Sequence, residues 1–384
     1  MSATVYLIRH AEAEGNIARR CHGQYDSLLT QRGLQQAKMV GDRFRTIPLD
    51  AIYSSDLSRA RHTALAIAQP KGMAVQENRN LREIDLGAWE DKPWEELKEF
   101  QSERYDCWCN RPWECQPPKG ETIPQAGQRV WNEIRKLAAQ NDGKRIAVVT
   151  HGTVTRVVLT LALGLPPEQL MQVGWGDNTS VARMVFLDDG TVRVDYKNDT
   201  SHLPPELSTF RLLKWSDTVD VPRSLQLWFK PVDWDDPEEK ALTLELFHMI
   251  YWPTYGEEAY PDEKIEARLR GFQEVIPEAV SYGMIGKEHA GIIAMNTVEN
   301  RDNEIGEMGG TGILPKFRGC GLGPQLMGHA VSTYRRMGKK VLQAKPLASR
   351  PAGPHYYMSN GFVPTGQTTE DGKFIILRRN IEVT

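Results

Sequence analysis

The chain has few cysteines, no long apolar run and no excess of positive charge, and each shortage argues against a class of protein. Five cysteines in 384 residues are few and odd in number, which predicts reduced thiols and not a disulfide framework. No stretch reaches the ~20 apolar residues of a membrane span, and the start lacks a basic leader. A formal net charge of -3 argues against nucleic acid as the main partner. We expect a cytoplasmic protein without nucleic-acid or membrane partners.

Three of the cysteines, Cys107, Cys109 and Cys115, lie close together in the sequence. Their spacing fits no familiar zinc pattern, and no histidine lies nearby. We expect no metal site at this cluster.

The length indicates two folded domains, because single domains commonly hold roughly 100–200 residues. Prolines and mixed polarity between about His202 and Arg223 are typical of an inter-domain connection. We predict a first domain over residues 1–205, a linker over 206–223 and a second domain over 224–384. The halves share no internal repeat, which indicates different roles.

Two apolar, β-branched runs in the first half, residues 4–8 and 145–149, predict buried strands of a parallel sheet. Thr30 is placed to cap a helix whose apolar face should include Leu34 and Phe44. Further predicted elements are a strand over 51–53, helices over 58–67 and 125–140, and a hairpin over 184–194. The pattern is that of an α/β fold.

The segment from Trp89 to Gly120 is rich in Trp, Pro and Cys and shows no regular period. We predict an irregular insertion over the carboxyl edge of the sheet, where open α/β sheets bind their ligands.

A histidine follows each buried strand of the first half, His10 in one case and His151 in the other. Parallel strands end at one edge of a sheet, so both side chains should reach the same place. Arg9 precedes His10, and Arg59 falls in the first turn of a helix, where the helix dipole disfavours a cation unless an anion binds nearby. An anion site is predicted; structural histidines and an exposed ion pair are the alternatives.

The motifs around these residues resemble those of the histidine phosphatase (phosphoglycerate mutase-like) superfamily, and their order and spacing match across about 200 residues. The matching segments are Leu7–Glu12, Ser54–Ala60, Leu81–Gly87, Thr150–Gly152 and Asn198–Leu203, with Asn16 and Gly23 between them. The resemblance implies a three-layer α/β/α domain with a mostly parallel sheet. It implies no cofactor for this domain.

The resemblance also implies roles for the residues. His10 would attack phosphorus through a neutral ring nitrogen and carry the phosphoryl group as a phosphohistidine intermediate. Glu83 would protonate the leaving oxygen and later act as a base, with Asp85 as the nearby competitor. The groups that would bind the phosphoryl oxygens are Arg9, Arg59, His151, Asn16 and Gly23.

Two features bear on which phosphoryl-transfer reaction is catalysed. Ala11 stands where much of the superfamily has glycine, and we expect activity to survive that change. A mutase must retain a phosphorylated product, and the segment from Lys92 to Lys119 lacks the paired arginines expected for a second anionic group. Hydrolysis of a small phosphate ester is therefore the favoured prediction, and a phosphoglycerate mutase-like transferase is the alternative.

In the second half, a glycine-rich turn joins an apolar strand to an amphipathic helix. Such a turn exposes backbone N–H groups, and Pro324 suits the first helical turn because its missing donor costs nothing there. The predicted binding residues are Ile313, Arg318, Gly319, Cys320, Gly321, Leu322, Gly323 and Pro324. A purely structural turn is the alternative.

This turn, with Tyr357 and Gly361-Phe362 downstream, resembles the GNAT-type N-acetyltransferase superfamily over about 150 residues, again judged from motif order. The resemblance implies an α+β domain with a mixed, splayed sheet, acetyl-CoA as cofactor and a small amine as acceptor. Tyr357 would protonate the leaving thiolate, and Glu304 or Glu307 would act as base through water.

Two local features qualify this resemblance. Tyr356 beside Tyr357 has the wrong offset for the acid, and either tyrosine would also suit a core aromatic. The run from Glu307 to Gly312 is unusually glycine-rich, which predicts a bulge or an altered acceptor pocket.

Three hypotheses follow. The first is a bifunctional enzyme that hydrolyses a phosphate ester and N-acetylates an amine, on one metabolite or on two. The second keeps the phosphatase and makes the C-terminal domain a non-catalytic acetyl-CoA sensor, and the third is a mutase. The oligomeric state stays open.

Overall fold

A computed structural model describes residues 2–213 and 225–383. The described residues fall into two compact units, the first made of 2–92, 100–213 and 383 and the second of 93–99 and 225–382, each around its own sheet. The bounds 1–205, 206–223 and 224–384 remain predictions, and residues 1, 214–224 and 384, which include most of the predicted linker, lie outside the described residues. Within the part of the chain that is described, no helix has the length and apolar character of a membrane span.

The first unit is built on a six-stranded sheet in which four consecutive strands, counted from one edge, run parallel. Its strands are β1 Ala3–Arg9, β2 Ala51–Ser54, β3 Val75–Glu77, β4 Arg145–Thr150, β5 Val181–Phe186 and β6 Val192–Asp199. They are ordered β3-β2-β4-β1-β5-β6, with β5 antiparallel to β1 and to β6. The mostly parallel sheet predicted from the sequence is confirmed.

Helices cover both faces of this sheet because successive strand residues point to opposite sides. The helices up to residue 213 are α1 Glu14–Ala18, α2 Gln31–Phe44, α3 Ser58–Ala68, α4 Trp94–Phe100, α5 Ser102–Asn110, α6 Ile123–Gln140, α7 Gly152–Ala162, α8 Leu170–Val173 and α9 Thr209–Leu212. Tyr6 and Ile8 of β1 pack with Val40 and Phe44 of α2 and with small residues of α3. The other face contacts α6 and α7. The unit therefore has three layers.

Helix α2 begins as predicted and differs from prediction in one residue of its apolar face. The Thr30 hydroxyl accepts a hydrogen bond from the N–H of Gly33 at 2.9 Å, which caps the helix. Leu34, which we expected in the core, is 50% exposed. The inward position on that turn belongs to Gly33, where a Cβ atom would lie 2.0 Å from the carbonyl oxygen of Glu12.

Two further expectations are corrected. The insertion 89–120 is not irregular throughout, because it contains α4 and α5. Helix α6 begins two residues before the predicted Gln125, since Thr122 forms a capping box with that glutamine.

The described residues of the predicted linker, 206–213, contact the first unit. Thr209 is buried, and its hydroxyl donates to Glu12 at 2.9 Å.

The second unit is a seven-stranded, mixed sheet in the order β12-β13-β11-β10-β9-β8-β7. Its strands are β7 Trp228–Pro231, β8 Val280–Ile285, β9 Glu288–Asn296, β10 Ile305–Ile313, β11 Val341–Ala344, β12 Val363–Thr368 and β13 Ile375–Asn380. Its helices are α10 Pro237–Tyr255, α11 Asp262–Gln273, α12 Gly323–Arg336 and α13 Ala352–Ser359. Helix α11 was not predicted.

The only parallel pair of this sheet is β10 with β11, and it is short. The pairing runs from Ile305 opposite Val341 to Glu307 opposite Gln343, while β10 continues to Ile313. The two strands therefore separate beyond Glu307. A β-bulge between Met308 and Gly310 interrupts the pairing of β10 with β9, as the glycine-rich run predicted.

Phe44 and Leu34 provide a matched test of the packing of α2. We expect Phe44→Ala to lower the free energy of unfolding by about 3–5 kcal/mol, because it empties a fully buried site. Leu34→Ala on the same helix should change it by less than about 0.5 kcal/mol. Urea unfolding followed by far-UV circular dichroism measures both; equal effects would contradict this assignment of the buried face.

Candidate active sites

His10 is the first residue after β1 and is 5% exposed. Its Nδ1 lies 2.7 Å from the carbonyl oxygen of Ala11. A carbonyl can only accept, so the ring proton is assigned to Nδ1, and Nε2 keeps its lone pair. Burial, and then the charges of Arg59 and Arg9, lower the pKa of His10 well below its ordinary value. The ring is therefore neutral, with the lone pair of Nε2 unprotonated.

His151 occupies the matching position after β4. The parallel register of β1 and β4 sets Arg9 opposite Thr150, and the two histidine rings are 5.2 Å apart. His151 Nε2 lies 2.8 Å from the hydroxyl of Ser55, which follows β2. Its Nδ1 is buried without a hydrogen-bond partner among the described residues. A buried ring nitrogen in that state is suited to a ligand.

Two guanidinium groups flank the histidines. Arg59 is 1% exposed, and its NH1 and NH2 groups donate to the carbonyl oxygens of Tyr25 at 2.9 Å and Gly23 at 2.6 Å. Arg9 donates from NH1 to the carbonyl oxygen of Gly176 at 2.6 Å, while its buried Nε has no acceptor in the described part of the chain. Buried N–H groups of this kind favour an anion.

Glu83 is buried beside the first turn of α7. Its carboxylate accepts from the N–H groups of Ile84 at 2.9 Å, Thr153 at 2.9 Å and Val154 at 3.1 Å. It interacts electrostatically with Arg9 and Arg59, so it lies within reach of the same site. Its competitor Asp85 accepts from the N–H of Gly87 at 2.8 Å in a turn.

The other two residues predicted to bind phosphate differ in their contacts. Asn16 accepts from the N–H of Ala13 at 2.9 Å through Oδ1, so its Nδ2 is the group that can donate to an anion. Gly23 has its N–H directed to Glu90 at 3.2 Å and its carbonyl directed to Arg59. The structure gives Gly23 a positioning part, in place of the direct binding that we expected.

In the second unit, the turn before α12 presents backbone N–H groups. Gly319 and Gly321 have φ of 76° and 75°, and a Cβ atom at either would meet open space. Within residues 225–383 the N–H groups of Gly319, Gly321 and Gly323 find no hydrogen-bond acceptor. Pro324 lies in the first turn of the helix. The turn is therefore open to an anion at a helix N-terminus.

The remaining predicted residues of this turn hold its shape. Arg318 donates from Nε to the carbonyl oxygen of Ile313 at 3.0 Å, which closes the turn on the end of β10. Leu322 is buried in the core, and Cys320 is exposed. The N–H groups of Arg318 and Cys320 are bonded within the turn, to the carbonyl oxygens of Pro315 at 3.3 Å and Phe317 at 3.4 Å, so the direct binding that we expected of them is not available to their N–H groups.

The base and acid candidates lie near the point where β10 and β11 separate. Glu307, in the last pair of that ladder, is 2% exposed, and burial raises its pKa. Glu304 is exposed and pairs with Lys340 at 2.8 Å. Tyr357 on α13 is electrostatically coupled to Glu307, and burial raises its pKa to about 12. The geometry therefore favours Glu307 over Glu304.

Comparison with protein families matches residues 5–200 to the histidine phosphatase superfamily, branch 1. The chain belongs to this superfamily. Residues 244–362 match the acetyltransferase (GNAT) family, so the predicted fusion of a histidine phosphatase domain with a GNAT domain is confirmed.

Relatives of the histidine phosphatase domain include the probable phosphoglycerate mutase GpmB of Citrobacter koseri, 35% identical over 206 residues, which cover 52% of this chain and 94% of the relative. The protein of that name from Salmonella arizonae is 34% identical over the same length. Among solved structures, Bacillus stearothermophilus YhfR is 32% identical with a TM-score of 0.50, covering 52% of this chain and 98% of its own.

The sequence analysis missed one residue that shapes the phosphatase-family site. The Glu90 carboxylate accepts from the N–H groups of Gln24 at 2.7 Å, Tyr25 at 2.8 Å and Leu86 at 2.9 Å, besides Gly23. It thereby folds the segment whose carbonyl groups bind Arg59. Burial raises the pKa of Glu90 despite these bonds. Its only sequence signal is a carboxylate next to a buried tryptophan.

We expect Glu90→Gln to disturb Arg59 without touching it. The amide NH2 cannot accept hydrogen bonds, so at least one buried N–H loses its partner, and the free energy of unfolding should fall by about 1–3 kcal/mol. Exposed Glu77→Gln is the matched control. Denaturant unfolding and the affinity for inorganic phosphate measure the two consequences; a Glu90→Gln protein with unchanged phosphate affinity would contradict this role.

The cysteine cluster lies in and after α5. None of the five cysteines, all of which lie in the described part of the chain, forms a disulfide. Cys115 is buried, and burial together with neighbouring Cys107 raises the Cys115 pKa to about 12. Across residues 2–213 and 225–383, no group of three or more His, Cys, Asp or Glu side chains is placed to hold a metal ion.

Proposed function

We propose that the N-terminal unit hydrolyses phosphate monoesters through a phosphohistidine at His10. One observation carries the proposal: a neutral histidine, a second histidine, the buried Arg59 and the half-buried Arg9 meet at one sheet edge. Among the described residues, the buried Arg9 Nε and His151 Nδ1 have no hydrogen-bond partner. A phosphoryl group satisfies these atoms because its oxygens accept from both arginines.

The chemistry then divides between two side chains. His10 Nε2 forms the bond to phosphorus as the ester P–O bond breaks, while Arg9, Arg59, His151 and the Asn16 amide bind the equatorial oxygens. Glu83, in its protonated form, gives its proton to the leaving oxygen. In the second step of the reaction, Glu83 takes a proton from the water that attacks phosphorus, and the P–N bond breaks to return free His10.

Hydrolysis is favoured over mutase activity, although the relatives at 34–35% identity are named probable mutases. A mutase has to bind a second anionic group. In the insertion, Lys98 pairs with Glu95 at 2.5 Å and Arg111 with Glu114 at 2.9 Å, each within three residues. Because each of these cations already has a carboxylate partner, neither is left to hold a second anionic group of the substrate. This supports hydrolysis followed by release of the product.

We expect His10→Ala to reduce release of phosphate from a chromogenic phosphate ester to background, because no other group can form the covalent intermediate. The affinity for acetyl-CoA should stay unchanged, which serves as the folding control. Retained turnover would overturn the nucleophile assignment. A rise in wild-type turnover on adding a bisphosphorylated cofactor would favour the mutase.

We further propose that the C-terminal unit binds acetyl-CoA and transfers its acetyl group to a small amine. The residues fit such a group: the open N–H groups of Gly319, Gly321 and Gly323 form a cradle for a pyrophosphate, and bulky side chains at the first two positions would be strained. When bound, acetyl-CoA supplies an activated thioester.

The chain's own residues handle the protons. Glu307, with a raised pKa and the Gln343 amide 2.9 Å away, is placed to take a proton from the amine through water. We assign the donation of a proton to the leaving sulfur to Tyr357, since burial raises its pKa to about 12 and its hydroxyl is therefore protonated at neutral pH.

Tyr357→Phe should lower the rate of acetyl transfer by about 10²-fold, because it removes the donor to the leaving sulfur. Tyr356→Phe is the matched variant: its hydroxyl donates to the carbonyl oxygen of Gly323 at 3.2 Å, so its loss should alter acetyl-CoA affinity more than the rate of transfer. Release of free CoA with a panel of amines is measured. Equal rates for both variants would remove the acid role from Tyr357.

The alternative is a sensor domain that binds acetyl-CoA without using it. Acetyl-CoA binding with no amine consumed, together with altered phosphatase turnover, would establish the sensor. A compound that carries both a phosphate ester and an amine would serve as substrate for both units if they share one metabolite. The odd number of thiols is the basis for proposing a cytoplasmic location.

A further inference from the structure

Thr179 has an unusual backbone conformation next to the nucleophile. It is fully buried, and its φ is 61°, in the left-handed region that a β-branched residue rarely adopts. Such a conformation persists only where the surroundings hold it, and it is found preferentially at functional sites.

The conformation directs two donors at one backbone atom. The N–H of Thr179 donates to the carbonyl oxygen of His10 at 3.3 Å, and the Nδ2 of Asn178 donates to the same oxygen at 2.9 Å. The N–H of Ala11, on the other side of that peptide, donates to the Thr63 hydroxyl at 3.0 Å. The peptide between His10 and Ala11 is thus fixed at both its polar groups.

This peptide sets the direction of the His10 ring. The ring Nδ1 donates to the carbonyl oxygen of Ala11 at 2.7 Å, so a rotation of the preceding peptide would move that acceptor and turn Nε2 away from phosphorus.

Thr179 is itself held by a series of hydrogen bonds between side chains. Arg43 NH1 lies 3.2 Å from His202 Nδ1, and His202 Nε2 lies 3.1 Å from the Thr179 hydroxyl. Arginine can only donate, so Nδ1 of His202 accepts and its Nε2–H donates to Thr179. The Thr179 hydroxyl then donates to the carbonyl oxygen of Asn178 at 2.7 Å. Every bond in the chain has one possible direction.

The chain begins at an ion pair and requires a neutral histidine. Arg43 NH2 donates to Asp199 at 2.7 Å. Burial, and then Arg43, lower the pKa of His202 to about 4, which agrees with the neutral form. The segment Asn198–Leu203, which matched the superfamily but received no role above, thereby acquires one.

We propose that Thr179 and His202 are positioning residues for the nucleophile: Arg43 and His202 hold the Thr179 backbone so that it orients the His10 peptide. The inference rests on the proposed phosphatase function.

Thr179→Val and His202→Ala test it directly. We expect each to lower kcat on a phosphate ester by about 10- to 100-fold, because small displacements of a nucleophile cost rate. KM should stay within about twofold, since the groups that bind phosphate are untouched. The conservative variants retain the bonds, so Thr179→Ser and His202→Gln should keep kcat within about threefold, in contrast to a merely structural requirement for the native residue.

A matched pair at the C-terminal end of α2 controls for general damage. Arg43→Ala removes the start of the chain of hydrogen bonds and should lower kcat. Arg45, the residue that follows α2, forms an exposed ion pair with Asp42, so Arg45→Ala should leave kcat unchanged. If Thr179→Val fails to fold by circular dichroism, this pair decides. Equal kcat for Arg43→Ala and Arg45→Ala in folded proteins would overturn the inference.

A signal independent of turnover separates this inference from the proposed function. In protein with ¹⁵N-labelled histidine, NMR should show an Nδ1–H tautomer for His10 and an Nε2–H tautomer for His202. The His10 signals should shift in Thr179→Val and Arg43→Ala but not in Arg45→Ala. If the wild-type protein had no phosphatase activity but the His10 signals shifted as described, only the proposed function would be wrong. If the wild-type protein were active but the His10 signals did not shift in the variants, only the positioning role would be wrong.

Discussion

The parallel pairing of β1 with β4 is the constraint on which the first site depends. Its register sets Arg9 opposite Thr150, so His10 and His151, far apart in the sequence, leave the sheet side by side. Because side chains alternate along a strand, a slip of one residue would send one histidine to the other face. The neighbouring strand β2 adds Ser55 at the same edge, which holds the His151 ring. Three strand ends thus define the site before any loop contributes.

The charges gathered at this edge work against the stability of the empty protein. Arg59 is buried and Arg9 half-buried, and after burial itself their charges lower the pKa of His10 by disfavouring a third positive charge. Buried cations without close carboxylate partners are costly, and Asp26 approaches Arg59 only to 3.8 Å. An anion bound at this edge would relieve that cost, so the proposed phosphate binding implies that a ligand stabilises the first unit against unfolding.

Strand patterns, caps and motif order were sufficient to predict both sheets, the helix after Thr30 and the set of residues around His10. They failed where a contact joins distant segments. Leu34 satisfied the helical period, yet Gly33 took the inward position because the chain near Glu12 passes too close for a side chain. Glu90 carries only the weak signal of a carboxylate beside Trp89 and acts through backbone N–H groups. Thr179 carries no local signal, because it acts through a φ angle that its side chain disfavours. Helix α11 was missed because its apolar residues are few in a strongly charged segment.

The way in which Arg59 is bound has a consequence for how this site can diversify. Its guanidinium contacts the main-chain carbonyl groups of Gly23 and Tyr25, and Glu90 fastens that loop through main-chain N–H groups. Main-chain atoms are common to all residues, so the acceptors of Arg59 do not depend on the side chains at positions 24 and 25. The place of Arg59 is therefore inherited through the course of the main chain and through the Glu90 carboxylate that fastens it.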